Sequence, residues 1–250
     1  MTKPSICNYA VLLVLAIALG GCAMSIPNPD NSLLIPEDPS VQQAISIPVY
    51  QRNELVSSPE EALQLLLEGN QRFKSGQILN KDLSFTRRSE LLKKGQHPFA
   101  AIVSCSDSRV PPELLFDQAL GDIFVIRVAG NIVTQAELGS IEYAVEHFKV
   151  PLVMVLGHEG CGAVTAAVEG GETHGSISAI VNKIKPAVIE AKSGDLTGSA
   201  LIEKCSDLNI QNSLKDIIKS SIIKEYLETK RLRIVGCKYD LDEGGISFVD

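Results

Sequence analysis

Cys105 opens the run Cys105-Ser106-Asp107-Ser108-Arg109, and His158-Glu159-Gly160-Cys161 follows well downstream. Two thiolates and one imidazole make up the protein ligand set of a catalytic zinc site with one coordination position left open. Asp107 and Arg109 add an acid and a base beside the first thiolate. His-x-x-Cys at the start of a helix puts both side chains at one end, where the helix N-terminus also favours the Cys161 thiolate. The same residues allow a second reading, a Cys105–Cys161 disulfide with His158 incidental, if the chain meets an oxidising compartment.

The neighbouring pattern supplies elements that bring the two halves together. Phe99–Ser104 and Leu152–Gly157 are short, continuous apolar runs. They predict buried strands that deliver Cys105 and His158 at their ends. In open α/β sheets, ligands bind beyond the carboxyl ends of the strands. Further strands are expected at Ile123–Arg127, Leu232–Cys237 and Ile246–Val249. Ser58-Pro59-Glu60-Glu61 reads as a helix start with a capping box, and Gly76 suits its stop. A second helix is expected over Thr86–Lys94, and the two make an N-terminal helical arm. Shorter or longer helices follow at Pro112–Phe116, around Ala136–Phe148, from near Cys161, near Ile177–Ala191 and over Ile210–Thr229. Strands alternating with helices predict an α/β fold with a mainly parallel sheet and helices on both faces.

Cys-Ser-Asp-Ser-Arg and Gly-His-x-x-Cys-Gly together resemble the β-class carbonic anhydrases. So do Phe124-Val-Ile-Arg-Val-Ala-Gly-Asn131 and Tyr239-Asp-Leu-x-x-Gly-Gly245. The likeness runs in family order from about Ser58 to the C-terminus. It implies a sheet of about four parallel strands with an antiparallel edge strand. It also implies Zn2+ as cofactor and Cys105, His158 and Cys161 as ligands. Asp107 either orients a zinc-bound hydroxide or swings in as fourth ligand, and Arg109 holds it away from the metal. The implied reaction is the reversible hydration of CO2 to bicarbonate and a proton, in a homodimer or larger homo-oligomer.

Within the resemblance, Gln118 matches a glutamine that hydrogen-bonds substrate in plant-like members, reaching across the dimer interface. Arg127 matches an arginine of a non-catalytic bicarbonate site in the allosteric branch. That branch also uses a tryptophan, and this chain has none. Arg127 is therefore read as structural and the enzyme as the plant-like type. Two other readings stay open: the same zinc chemistry on CS2 or COS, and a non-catalytic bicarbonate sensor. The Asp107–Arg109 pair argues against the sensor, because anion binding alone needs no carboxylate. His97, His147 and His174 are read as solvated or capping histidines rather than proton shuttles.

The N-terminus carries an address. Lys3 precedes an apolar run over Ala10–Leu19, and Leu19-Gly20-Gly21-Cys22 follows. The run is shorter than the roughly 20 residues of a spanning helix and suits a secretory leader. Its ending resembles the bacterial lipobox. Residues 1–21 are thus expected to be a signal peptide and Cys22 the lipidated residue. The expected location is an exported, lipid-anchored one on a bacterial membrane, facing the periplasm. Residues 22–57, punctuated by prolines, read as a flexible tether, and 58–250 as the zinc domain. The net charge is -7, and Lys93-Lys94 and Lys230-Arg231 read as solvated helix ends rather than a basic patch, so nucleic acid is not an expected partner. Cys205 and Cys237 are read as separate thiols, with a disulfide between them as the alternative.

Overall fold

The computed structural model describes residues 49–52 and 55–249. Cys22, the leader and most of the proline-rich stretch lie outside them. The sheet is built from β1 (Ala100–Ser104), β2 (Ile123–Arg127), β3 (Leu152–His158), β4 (Arg233–Tyr239) and β5 (Ile246–Phe248) in the order β2-β1-β3-β4-β5. The first four strands are parallel and β5 joins β4 antiparallel, which matches the expected core and edge. In register, Ser104 faces Leu156 and Arg127. The C-terminal ends of β1, β2 and β3 therefore finish side by side, and the loops that leave them share one crevice.

Alternation along the buried strands divides the core into two layers. Ala100 and Ile102 of β1, with Leu152, Met154 and Leu156 of β3, pack under α1 (Pro59–Ser75) and α3 (Pro112–Leu115). Ala101, Val103, Val153 and Val155 face the other way. There they meet α4 (Gln135–His147), α7 (Gly198–Ile218) and α8 (Ser221–Glu228). A third cluster joins α5 (Gly162–Glu169), α6 (Ile177–Ala191) and α7, and it contains Cys105 and Cys161. Helices cover both faces, as the unbroken apolar strands require.

The first helix begins and ends where its capping signals lie. The Ser58 hydroxyl accepts the Glu61 N–H at 3.3 Å and donates to Glu60, while Gly76 stops the helix with φ of 69°. α2 (Phe85–Lys94) has no fully buried residue. Asp117, buried in the turn after α3, pairs with Arg72 of α1 at 2.6 Å and with Lys81. Tyr50 bridges the strand-like segment at Lys81, and the Arg52 guanidinium stacks 4.0 Å from the Phe99 ring.

One expectation needs correction. The helical stretch expected near Ile210–Thr229 is broken into two helices, and the first begins at Gly198. Ser220 takes an extended backbone (φ -62°, ψ 132°), and its hydroxyl caps the second helix at the Ile223 N–H. The Lys219-Ser220-Ser221 run supplies that cap, which the apolar pattern on either side conceals.

Candidate metal centre

Each ligand is delivered by a strand end or a helix start. Cys105 follows the last residue of β1, His158 is the last residue of β3, and Cys161 is the N-cap of α5. All three are buried, and their ligand atoms lie within 4.8 Å of one another. The two sulfurs are 3.9 Å apart. A tetrahedral zinc with Zn–S bonds of about 2.3 Å would place them about 3.8 Å apart.

The imidazole is set for the same role. His158 Nδ1 lies 2.8 Å from the Glu159 carbonyl oxygen, so Nδ1 carries the proton and donates. Nε2 keeps its lone pair. It is buried, without a hydrogen-bond partner, on the side of the two thiols. A buried lone pair left bare is unfavourable unless something binds it. A backbone carbonyl on the far nitrogen is the usual second contact of a metal-ligating histidine.

The thiols point to a cation as well. A hydrogen bond from Cys161, then contacts from His158 and the Gly130 and Asp107 backbone, hold the Cys105 thiol below the ordinary range. Its bond to Cys105, then burial, push the Cys161 thiol up, against a pull from the Ala163 and Val164 N–H groups. The N–H groups of the helix start pull toward the thiolate, but one negative sulfur opposes a second. A divalent metal between them removes the conflict. The donor set and its spacing fit zinc.

The loop after Cys105 is clamped around this cluster. Asp107 lies beside it, with Oδ2 4.0 Å from His158 Nε2. Arg109 meets it at three points: its backbone N–H and Nε reach Oδ1 at 2.9 and 3.0 Å, and Nη2 reaches Oδ2 at 2.8 Å. The arginine's hydrogen bonds hold the Asp107 carboxyl well below the usual carboxylate range. Arg127 donates through Nε to the Cys105 carbonyl at 3.0 Å and through Nη2 to the Asp107 carbonyl at 2.6 Å. It therefore fixes the backbone that carries both residues, which gives its structural reading a definite content.

Two supports escaped the sequence reading. Gly130 donates its N–H to Cys105 Sγ at 3.3 Å. Its φ is 73°, and a Cβ there would sit 2.8 Å from Ile184 Cδ1, so any side chain at this position would be strained. Glu159, between two ligands, accepts the Leu241 N–H at 2.8 Å and so ties the ligand loop to the turn after β4. These contacts give the Phe124–Asn131 and Tyr239–Gly245 segments, which resemble the family, a physical role at the site.

Sequence comparison decides the family. A profile described as carbonic anhydrase matches residues 100–246. The chain belongs to the carbonic anhydrase family. It is 39% identical over 193 residues to carbonic anhydrase 2 of Mycobacterium tuberculosis, covering 75% of this chain and 91% of that one. The solved structure of the β-carbonic anhydrase CcaA aligns with a TM-score of 0.62 and 30% identity over 75% of this chain and 95% of that one. One of the tetrameric β-carbonic anhydrases of the ascomycete Sordaria macrospora aligns with a TM-score of 0.60 and 25% identity, over 76% and 97%. These likenesses place the chain in the β class, whose cofactor is zinc.

Other residues singled out from the sequence lie apart from the metal cluster. Gln118 is buried after α3, donates to the Phe116 and Leu65 carbonyls, and accepts from Arg52 at 3.1 Å. His97 lines a separate cavity of about 210 Å³ with Arg52, Arg87 and Lys94. His147 packs against the Tyr143 ring, with centroids 4.5 Å apart. Cys205 and Cys237 are free, buried thiols.

Proposed function

We propose that this chain catalyses the reversible hydration of CO2 to bicarbonate and a proton at a zinc ion held by Cys105, His158 and Cys161. The observation that carries the reading is the bare, buried Nε2 of His158 beside two sulfurs 3.9 Å apart. Bound zinc supplies the Lewis acidity that makes water nucleophilic near neutral pH, an effect best known from sites with three histidines, where the water pKa falls to about 7.

The chain's own residues supply the rest. Two thiolates place more negative charge on the metal than histidines do and so weaken the acidification. Asp107 is kept ionised by Arg109 and offers an acceptor 4.0 Å from His158 Nε2, beside where zinc would be held. It can orient a water-derived O–H and leave the oxygen lone pair for the carbon of CO2. Arg109 cannot lose its own proton at any working pH. The arrangement has a carboxylate where a bicarbonate sensor would need none, which favours catalysis over binding. Cys105 and Cys161 share an apolar cluster with Ile132, Val164 and Ile184, which would keep bulk water from a metal held by the two sulfurs.

The plant-like branch is part of the proposal. It is supported by the absence of tryptophan and by an Arg127 whose guanidinium is already spent on the Cys105 and Asp107 carbonyls. We further propose a homo-oligomer. Phe85 and Leu92 of α2 are 75% and 86% exposed, on a helix none of whose residues is fully buried. Attachment to a membrane through a lipid on Cys22, and export to the periplasm, rest on the Leu-Gly-Gly-Cys run.

Stopped-flow CO2 hydration on metal-analysed protein tests the reading. Activity should follow zinc content, disappear on chelation and return when zinc is restored. Fully zinc-loaded protein with no hydration above background would overturn it.

A further inference from the structure

One face of α7 reaches the backbone on which the metal centre is built. Glu203 Oε1 accepts the Gly160 N–H at 3.0 Å. Ser206 Oγ points its proton at the His158 carbonyl at 3.5 Å, a long contact. Asn209 Nδ2 donates to the Gly130 carbonyl at 2.7 Å, and Ser213 Oγ to the Asn131 carbonyl at 2.9 Å. Spacings of three, three and four residues keep all four within an arc of about 120° on a helix that turns about 100° per residue.

These positions run against local preference. Serine and asparagine are indifferent helix formers, and polar side chains are rarely buried without reason. Ser206, Asn209 and Ser213 are nevertheless buried. Glu203 is partly exposed and is fixed from behind by Lys238 of β4 at 3.2 Å, which also pairs with Asp207 at 2.7 Å. The partners are not scattered. Every bond goes to one of two short segments. His158–Gly160 carries one ligand and leads to another, and Gly130–Asn131 includes the N–H that touches Cys105 Sγ.

We propose that the Glu203–Ser206–Asn209–Ser213 ridge is a positioning device for the metal. It holds the loop between His158 and Cys161, and the Gly130 peptide, so that the three ligand atoms are spaced for zinc before it arrives. None of the four touches the metal, and they act only through the backbone. Losing such support typically weakens metal affinity by 10–100-fold. The inference rests on the zinc reading above.

The test is zinc release from the full-length protein to an excess of a chromogenic chelator. Glu203→Ala removes the acceptor from the Gly160 N–H, while Glu203→Gln keeps Oε1 in place. The alanine variant should release zinc about tenfold faster or more, and the glutamine variant within about twofold of wild type. Asn209→Leu, close in size but without the donor, should also accelerate release and shift the visible bands of the cobalt-substituted protein. If Asn209→Leu does not fold, the Glu203 pair decides alone. A merely structural role would lower the unfolding midpoint of zinc-free and zinc-loaded protein alike and leave release unchanged. Wild-type release from a folded Glu203→Ala protein, or a glutamine variant as leaky as the alanine one, overturns the proposal. Absence of zinc from the wild-type protein would instead overturn the zinc reading itself.

Discussion

Arg109 grips both carboxylate oxygens of Asp107, Nε to Oδ1 at 3.0 Å and Nη2 to Oδ2 at 2.8 Å. The grip keeps Asp107 an acceptor and turns it beside the zinc ligands instead of among them. Asp107→Asn and Arg109→Ala should leave the fold intact and lower CO2 hydration by about tenfold or more, the range seen for residues that support a metal site. Because the native pKa of Asp107 is depressed, its stabilisation is present above the unfolded value of about 3.9 and fades only as pH falls through the lower native one. Activity that declines between pH 7 and 5 should therefore decline equally in Asp107→Asn. Wild-type turnover in both variants, measured by stopped flow, would reduce the pair to a surface bridge.

Two buried sulfurs 3.9 Å apart have two fates, shared coordination or oxidation. Zinc enforces the first. Stripped of metal and treated with a mild oxidant, the protein should form a Cys105–Cys161 disulfide, seen as a linked peptide pair in non-reducing mass spectrometry. Activity should return only after both thiol reductant and zinc are supplied. With zinc bound, the same oxidant should leave the pair free. Equal oxidation with and without zinc would show that the metal is not held by these sulfurs.

Cys205 and Cys237 belong to separate apolar clusters, the first beside α5 and α6, the second under α1. Burial pushes their thiols up to about 11 and about 12. A raised native pKa contributes stability that is complete below the unfolded value of roughly 8.5 and is lost as pH climbs toward the native one. The urea midpoint of the zinc-loaded protein should accordingly fall between about pH 9 and pH 11. Replacing both cysteines with alanine should flatten that fall. A midpoint that drops equally steeply in the double variant would locate the alkaline transition elsewhere.

Much of this organisation is legible in the chain because the signals are local. Ile123–Arg127 and Ile177–Ala191 fall where the apolar pattern puts them, and Ser58-Pro59 and Gly76 bracket α1. The ligand triad is legible because its motifs are short and chemically unusual. Support for the triad is harder to see because it runs through backbone groups. Arg127 works on two carbonyls, Gly130 gives an N–H, and Glu159 finds its partner at Leu241. No spacing rule encodes such contacts. The break at Ser220 and the capping box of Thr134 with Glu137 were in plain view, since both are serine or threonine ahead of a helix. Strong apolar runs on either side mask such caps in the sequence.

The membrane proposal stands apart from the folded domain and needs its own measurement. A lipid on Cys22 should bring the mature protein down with membranes after high-salt washing. Mass spectrometry should find an acylated N-terminal cysteine and no residues from 1–21. Cys22→Ser should block both the modification and leader removal. An unmodified N-terminus beginning elsewhere would refute lipidation, whatever the enzyme's activity.

At Gly69 the backbone of α1 runs close to the segment that leads to Gln118. A Cβ at this position would lie 1.8 Å from the Phe116 carbonyl oxygen and 3.0 Å from Gln118 Nε2. That oxygen is already committed to Gln118 Nε2 at 2.6 Å, and the neighbouring Asn70 binds the Leu115 and Gly244 carbonyls, so neither side can yield cheaply. Alanine should bring about 1 kcal/mol of helix propensity. Overpacking of this kind costs about 1–3 kcal/mol, and a backbone atom in the way favours the upper end. Gly69→Ala should therefore be less stable than wild type by about 1–2 kcal/mol net. Gly139 offers the control. It lies within α4, a Cβ there meets nothing within 4 Å, and Gly139→Ala should stabilise by up to about 1 kcal/mol. Denaturant midpoints of the two variants should move in opposite directions. A Gly69→Ala protein at least as stable as wild type would mean that α1 can lift away from Phe116 at little cost.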